Sequence, residues 1–464
     1  MKKIILLTVL SAIYISIFAQ TRYYVDLNAS GQNTGVSWSD AFNNLHDAMV
    51  VAISGDEIWV AEGTYHPSEN IRTVYYSLLS GVQLYGSFSG SEMLAEERDI
   101  EAHPTILDGD IGIAGDSLDN TYNLLYLFHP DSTTLVDGFT FRDGQADKLT
   151  GGTGGFGNSG AAILINGNNS FAYLTIRNCN FEDNYSRYDG GAVCITSGTT
   201  GDVGSVFENC RFESNHSQRK GGAVYESGGS IYFEKKGFTN CIFLNNYAKL
   251  TGGALSFVSL HNNNVINITR CIFKNNFTSL PDGSLRASCI NLSNPQSNLT
   301  YLKITESVFD DKNRYTITSD LFDAQNSHFY FSLFDSKFNN SRDINQLISS
   351  DFIYWETNTL INDTIGINRI EKCNFIMSGI SRLTLSESKF CLINNSVFKG
   401  QNNLVRYTLN SNNLAPIICN NNIFTKSNEN SIIIQDNPNQ FYFYSSDIFF
   451  NNCIFNKAFL IVSI

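Results

Sequence analysis

Asp108 and Asp110, one residue apart around Gly109, are the carboxylates whose spacing best suits a metal ion. Hard oxygen ligands close in sequence fit Ca²⁺, and an Asp-Gly-Asp run equally fits a plain turn. Calcium there is the one cofactor the chain suggests; otherwise none is expected. Asp310 and Asp311 are adjacent, and Asp137 and Asp143 flank Phe139-Thr140-Phe141. Cleaving a glycosidic bond by hydrolysis needs two carboxyls flanking it. Eliminative cleavage needs a base, often Arg or Lys, and carboxylates that hold Ca²⁺ against a uronate. Arg211, between Cys210 and Phe212, should face outward, and Asp189 precedes a Gly-Gly pair where sister segments carry Lys220 and Thr251, as an exposed, unspecialised position would. Tyr185, Tyr188 and Tyr247 lie near turns and offer rings on which a sugar could stack. Zinc chemistry is not suggested, because no Cys-x-x-Cys occurs and the seven His show no His-x-His or His-x-x-x-His spacing. The Gly-rich run Thr150 to Gly160 lacks the Gly-Lys-Ser/Thr ending of a phosphate loop and reads as an insertion. With 196–205 and the Asn-rich 261–264 it is a candidate binding loop.

The elements that position these groups keep a 31-residue beat. Gly-Gly-Ala-apolar recurs at Gly190, Gly221 and Gly252, with a half-match at Gly160 and a decayed copy at Asp282-Gly283-Ser284-Leu285. Cys-x-Phe-x-x-Asn recurs at Cys179/Phe181/Asn184, Cys210/Phe212/Asn215, Cys241/Phe243/Asn246 and Cys271/Phe273/Asn276. A fixed period of this length marks a solenoid. Cys and Phe at i and i+2 share one side of a strand, turn residues bound each run, and no amphipathic helix repeats. The reading is an all-β parallel β-helix. Stacked coils would set Phe on Phe and Cys on Cys inside, with Asn in a hydrogen-bonded ladder at a bend. Each Gly-Gly marks a backbone position that rejects a Cβ or a close approach between coils. Phe309, Phe338, Phe375, Phe398, Phe424 and Phe455 extend the beat with irregular steps. The expected divisions are a leader at 1–19, a cap and first coils at 20–112, regular coils at 113–290, and irregular coils of the same domain at 291–464.

The ten Cys would frame disulfides in many secreted chains. Here most hold one repeat position (Cys179, Cys210, Cys241, Cys271, then Cys373 and Cys453), where stacked side chains run parallel and bridge poorly. Buried thiols are expected, with Cys194 the candidate for a pair off the ladder. Met1-Lys2-Lys3 followed by apolar Ile4 to Phe18 reads as a secretion signal cut after Ala19. No later segment is long and apolar enough to cross a membrane as a helix. The net charge of −13 supplies no Lys/Arg stripe, so nucleic acid is not expected as a partner and anionic glycans would need a local basic patch. A capping α-helix is expected over 37–53, with Ser37 or Ser39 as its cap and Ala41, Leu45, Ala48 and Ala52 as its apolar stripe. It would cover the open end of the solenoid. The last residues, Cys453 to Ile464, read as one more apolar strand, either folded back as a cap or left to dock another molecule.

The entry segment resembles that of secreted right-handed β-helix proteins common in Bacteroidetes. The resemblance rests on Tyr24-Val25-Asp26, Trp38 with Ala41-Phe42, Gly55-Asp56-Glu57-Ile58-Trp59-Val60-Ala61, Leu84-Tyr85-Gly86-Ser87-Phe88, Glu97-Arg98-Asp99 and Pro104 to Ile111. The Gly-Gly-Ala and Phe-x-x-Asn elements resemble the repeats of polymorphic outer-membrane proteins. It covers about residues 22–280 and implies a right-handed helix, export, and a place at the cell surface, the outer membrane or outside the cell. For activity it implies a range from adhesin-like proteins to pectate lyases, and the long repeat array, the export signal and the lack of a catalytic constellation favour adhesion to a cell-surface or polysaccharide ligand. The alternatives are a polysaccharide lyase or glycoside hydrolase and a non-catalytic polysaccharide-binding module. The motif set of polygalacturonases is absent as a set, as is a lyase-like Arg-x-Pro-x-x-Arg.

Overall fold

The computed structural model describes residues 20–279 apart from 153, 199–200, 229–235 and 259–263; beyond 279 it describes mainly strand backbone, with side chains at 289–292 and 302–309. The leader at 1–19, Cys373 and Cys453 lie outside the described residues.

Each regular coil has four sides. Phe171–Arg177 lies in sheet A, Asn180–Glu182 in sheet B, Tyr185–Ser186 in the short sheet D and Val193–Thr196 in sheet C. Asp202–Glu208 then returns to sheet A one coil on. Neighbouring strands are parallel and in register: Phe181 pairs with Phe212, Phe212 with Phe243 and Phe243 with Phe273. The chain is an all-β, right-handed parallel β-helix with a helix at its N-terminal end. The later phenylalanines continue sheet B, where Phe309, Phe338, Phe375, Phe398, Phe424 and Phe455 pair in succession.

Register explains the repeated residue types. Phe141, Phe181, Phe212, Phe243, Phe273 and Phe309 form a buried stack, with ring planes within 6° of parallel and centroids 4.6–5.1 Å apart. Each ring contributes about 1.5–3 kcal/mol by leaving water. Cys179, Cys210, Cys241 and Cys271 are buried free thiols beside them, and Cys194 is a free buried thiol too. Beside the Phe stack, Asn184, Asn215, Asn246 and Asn276 form the expected ladder, each amide donating to the next carbonyl oxygen at 2.9–3.0 Å. Corners need left-handed backbone: Asn178, Asn209 and Asn240 each have φ of 54°, which Asn tolerates better than most residues. The Gly pairs divide the two expected roles. Gly190, Gly221 and Gly252 have φ of 65–66°. A Cβ on Gly222 would lie 2.0 Å from the Gly253 carbonyl oxygen, so the second glycine answers to close approach.

Two expectations are corrected. Leu285 does not continue the Gly-Gly-Ala column, because Leu255 pairs with Ile290 in sheet C and both Ala254 and Leu255 donate to the Cys289 carbonyl. Leu285–Ala287 instead turns back antiparallel on Phe277–Ser279, so an extra segment has been folded into that coil. The cap is also shorter than 37–53. Helix α1 spans Leu45–Val51, and Asn44 caps it by accepting from the His46 amide. Phe42 exchanges backbone hydrogen bonds with the opening strand (to Tyr24 O at 2.8 Å, from Asp26 N at 2.9 Å), which holds 37–43 out of the helix. The apolar stripe holds: Ala41, Leu45, Ala48 and Ala52 are buried, and Leu45 and Ala48 pack into the same core as the coil interior.

One coil interrupts the apolar interior. Glu226 occupies the sheet C column between Ile195 and Phe257. Its carboxylate contacts the Lys236 ammonium and accepts from Ser205 Oγ at 2.8 Å. Lys236 and Glu226 are both 1 % exposed at their side chains.

Candidate functional site

The carboxylates singled out by spacing fall at strand ends and corners. Asp108 ends the strand Thr105–Asp108 and pairs in register with Arg142. It is buried, accepts from Arg142 Nε at 2.9 Å, and accepts from the Asp110 amide at 2.9 Å. Asp110 accepts from the Gly115 amide. The pair thus serves an ion pair and a turn, with Asp143 alongside Arg142 at 3.7 Å. Among the described residues no group of three or more His, Cys, Asp or Glu is placed to hold a metal ion. Burial, then the nearby Asp108 charge, pushes the Asp143 carboxyl up to about 6. Asp137 is buried and accepts three hydrogen bonds, from Arg98 Nη2, Arg177 Nε and Asn178 Nδ2 at 2.7–2.9 Å. Arg211 faces outward as expected and pairs with Glu213 of its own strand at 2.7 Å. Asp189 is not exposed, contrary to expectation; it is buried, 3.7 Å from Arg219.

The Gly-rich segment is closed onto the fold. Phe156 packs against Tyr75, with ring centroids 4.9 Å apart, and against the outer face of sheet C at Leu164, Cys194 and Tyr225. The Gly157 amide donates to Asn123 Oδ1 at 2.8 Å. In 196–205, Ser197 Oγ donates to the Gly201 carbonyl at 2.6 Å. Residues 261–263 lie outside the described residues.

A different arrangement emerges from sheet D. Tyr185 pairs in register with His216, His216 with Tyr247 and Tyr247 with Phe277. All four side chains point away from the interior and are partly exposed, while the alternate residues Ser186, Ser217, Ala248 and Thr278 are buried. The ring centroids follow one another at 5.1, 4.5 and 5.1 Å. Polar groups line the column: Gln218 Nε2 lies 3.2 Å from His216 Nε2, and Tyr247 Oη donates to Ser279 Oγ at 3.0 Å. Burial pulls His216 down to about 4, so its ring is neutral at physiological pH. Tyr188, the third expected tyrosine, sits at the next corner beneath the Arg219 guanidinium, 5.4 Å from its ring centroid. Residue type and nearness to turns single out Tyr185 and Tyr247 in the sequence but not His216 or Phe277. The signal was present, since all four positions keep the same beat.

Successive ring planes are inclined at 59°, 82° and 49°, so the column offers a run of separate aromatic contacts rather than one flat platform. Aromatic faces are electron-rich and attract the polarised C–H groups of a sugar, as they attract other positive edges. The coil rise of about 4.8 Å sets one ring per coil along the helix axis.

No family model matches the chain, and no curated protein matches it in sequence. Among solved structures it is similar to a rhamnogalacturonan lyase (13 % identity, TM-score 0.41, covering 77 % of this chain and 82 % of that one). It is also similar to a mannuronic acid specific polysaccharide family 6 lyase from human gut microbiota (11 % identity, TM-score 0.42, covering 96 % and 82 %). A third similarity is to PfbA, a surface adhesin of Streptococcus pneumoniae (13 % identity, TM-score 0.35, covering 90 % and 88 %). Likenesses at this level carry no residue role across to this chain. Among the described residues no helix is long and apolar enough to cross a membrane.

Proposed function

We propose that this protein is an exported glycan-binding β-helix that grips a linear polysaccharide along the sheet D column. The observation that carries the reading is the run of four partly exposed rings, one per coil, at Tyr185, His216, Tyr247 and Phe277. On an exported chain this is an adhesive function. The apolar leader at 4–18 supports export, and the resemblance of the repeats to polymorphic outer-membrane proteins agrees with surface display. Affinity electrophoresis of residues 20–464 through a panel of soluble glycans tests it. Retardation that Tyr247→Ala weakens at least tenfold, with the melting temperature held, supports the reading; no retardation by any glycan refutes it.

One observation favours a second reading, a polysaccharide-cleaving enzyme. Asp143, pushed up to about 6, sits half-buried beside Arg142 and Asp108, and a shifted carboxyl among charges suits proton transfer. Incubating the same panel with and without Ca²⁺, while following reducing ends and unsaturated products, decides it. Turnover that Asp143→Asn abolishes would establish catalysis; intact polymers would leave binding alone. The calcium reading of Asp108 and Asp110 belongs to this second proposal and stands or falls with a Ca²⁺ requirement.

A further inference from the structure

The ridge that carries the aromatic column also gathers positive charge, on a chain whose net charge is −13. Three consecutive coils place Arg187, then Arg219 and Lys220, then Lys249 just after the column in chain order. Arg187 and Lys249 are exposed and form no ion pair among the described residues. Acids near them are engaged: Asp147 is held by Arg72 at 2.8 Å, and Asp189 is buried beside Arg219. Asp183 lies before the column in chain order, at the opposite corner, and Glu213 is paired with Arg211.

Arg187 and Lys249 stand two coils apart, about 10 Å along the axis. An extended pyranose unit advances a glycan by about the rise of one coil. A twofold chain presents the same substituent on one side at every second unit. Rings on four successive coils with two cations two coils apart therefore match a glycan that turns an anionic group toward the ridge every two sugars. Resting on the glycan-binding reading above, we infer that the column takes an anionic linear polysaccharide, carboxylated or sulfated, laid along the helix axis with its charges at Arg187 and Lys249. The guanidinium suits a carboxylate or sulfate edge-on, through its planar fork of N–H donors, and the ammonium acts as a point charge. Exposed pairs of this kind weaken in salt, so binding falls as ionic strength rises.

The test uses residues 20–464 and calorimetric titration with polygalacturonate, its methyl ester, a neutral β-glucan, dextran sulfate and a single-stranded oligonucleotide of similar charge. The expected result is binding to polygalacturonate or dextran sulfate at least tenfold tighter than to the methyl ester or the β-glucan. Which anion wins separates carboxylate from sulfate. Combining Arg187→Ala with Lys249→Ala should remove that preference without lowering the melting temperature, while Lys274→Ala, an exposed cation on sheet B, leaves it intact. Equal affinity for the methyl ester or the β-glucan overturns the anionic inference and leaves glycan binding standing. Binding to none of the glycans overturns both. Oligonucleotide binding as tight as the best glycan also overturns the inference, because it reduces the ridge to a general polyanion surface.

Discussion

At Asn215 one amide joins three coils. Its Nδ2 donates to the Phe181 carbonyl at 2.9 Å and to Asn246 Oδ1 at 3.0 Å, while its Oδ1 accepts from Asn184. Asn215→Ala strands buried partners on both sides, and each lost bond of this kind costs about 1–3 kcal/mol. Urea unfolding should show a loss in that range or above. Arg211→Ala should change stability by less than about 0.5 kcal/mol, as an exposed ion pair does; equal losses would mean that the inside–outside assignment is wrong. Asp143 gives a pH test of opposite sense to most surface acids. Its folded carboxyl titrates near 6, above its ordinary value, so the folded state binds the extra proton between about 4 and 6. That contribution is present at low pH and is lost as pH rises through 6. Asp143→Asn should therefore stabilise the protein at pH 7.5 and not at pH 4, the more so because Asn suits the φ of 57° there. A variant less stable at both pH values would show that the ionised Asp143–Arg142 contact outweighs burial. The ladder was legible in the sequence because its residue type repeats. The sheet D column was only half legible, since its rings change from Tyr to His to Phe while the outward position stays fixed. The burial of Asp189 was not legible, because a varying residue type does not distinguish an exposed site from one buried under a corner.

Helix α1 shows where local propensity yields to pairing. Over 37–53 the apolar stripe has helical spacing, yet backbone pairing of Phe42 with the opening strand delays the helix to Leu45. The cap accordingly belongs to Asn44. Asn44→Ala should lower stability by about 1 kcal/mol, while Ser39→Ala, whose hydroxyl lies against Ser37 Oγ outside the helix, should leave the melt nearly unchanged. The reverse ranking would restore the longer helix. Strands were easier to read than this helix because a parallel stack imposes its register on every copy, and a helix at the end of the stack has no second copy to check it. The same logic explains the misplaced fifth Gly-Gly-Ala segment. Spacing alone favoured Leu285, but an inserted antiparallel turn moved the column on to Ile290. Where the column does hold, its geometry is strict. Gly222→Ala would press a methyl group against the Gly253 carbonyl and the Tyr247 backbone, neither of which can swing aside as a side chain would. It should destabilise more than Asn44→Ala, and a mild effect in the same melt would mean that the coils can separate locally.

Across the whole molecule, stability is approached as a sum of coils and the interfaces between them. Sheets A and B run from the N-terminal coils to Ile448–Asn451 and Ile454–Asn456, so a weak interface anywhere interrupts an otherwise continuous stack. The clearest candidate is the coil holding Glu226 and Lys236. Its register neighbours, Ile195 and Phe257, are apolar. Burial pulls the Lys236 ammonium down to about 7 against the opposing charge of Asp202, and its Nζ contacts the Glu226 carboxylate. A buried ion pair recovers its desolvation cost only in part, and breaking one leaves an uncompensated charge. Glu226→Ile alone should therefore destabilise by about 3–5 kcal/mol. Combining Glu226→Ile with Lys236→Leu should return stability to the parent level or raise it by about 1–4 kcal/mol. Native-state hydrogen exchange adds the molecular scale. In the single variant, protection should fall first at Val206–Glu208 and Gly237–Thr239, the paired strands that flank this interior site, while Ile163–Asn166 stays protected. If the double variant is instead less stable than the single one, the ion pair itself holds the two halves of the stack in register, and the interruption is a structural joint that apolar packing cannot replace.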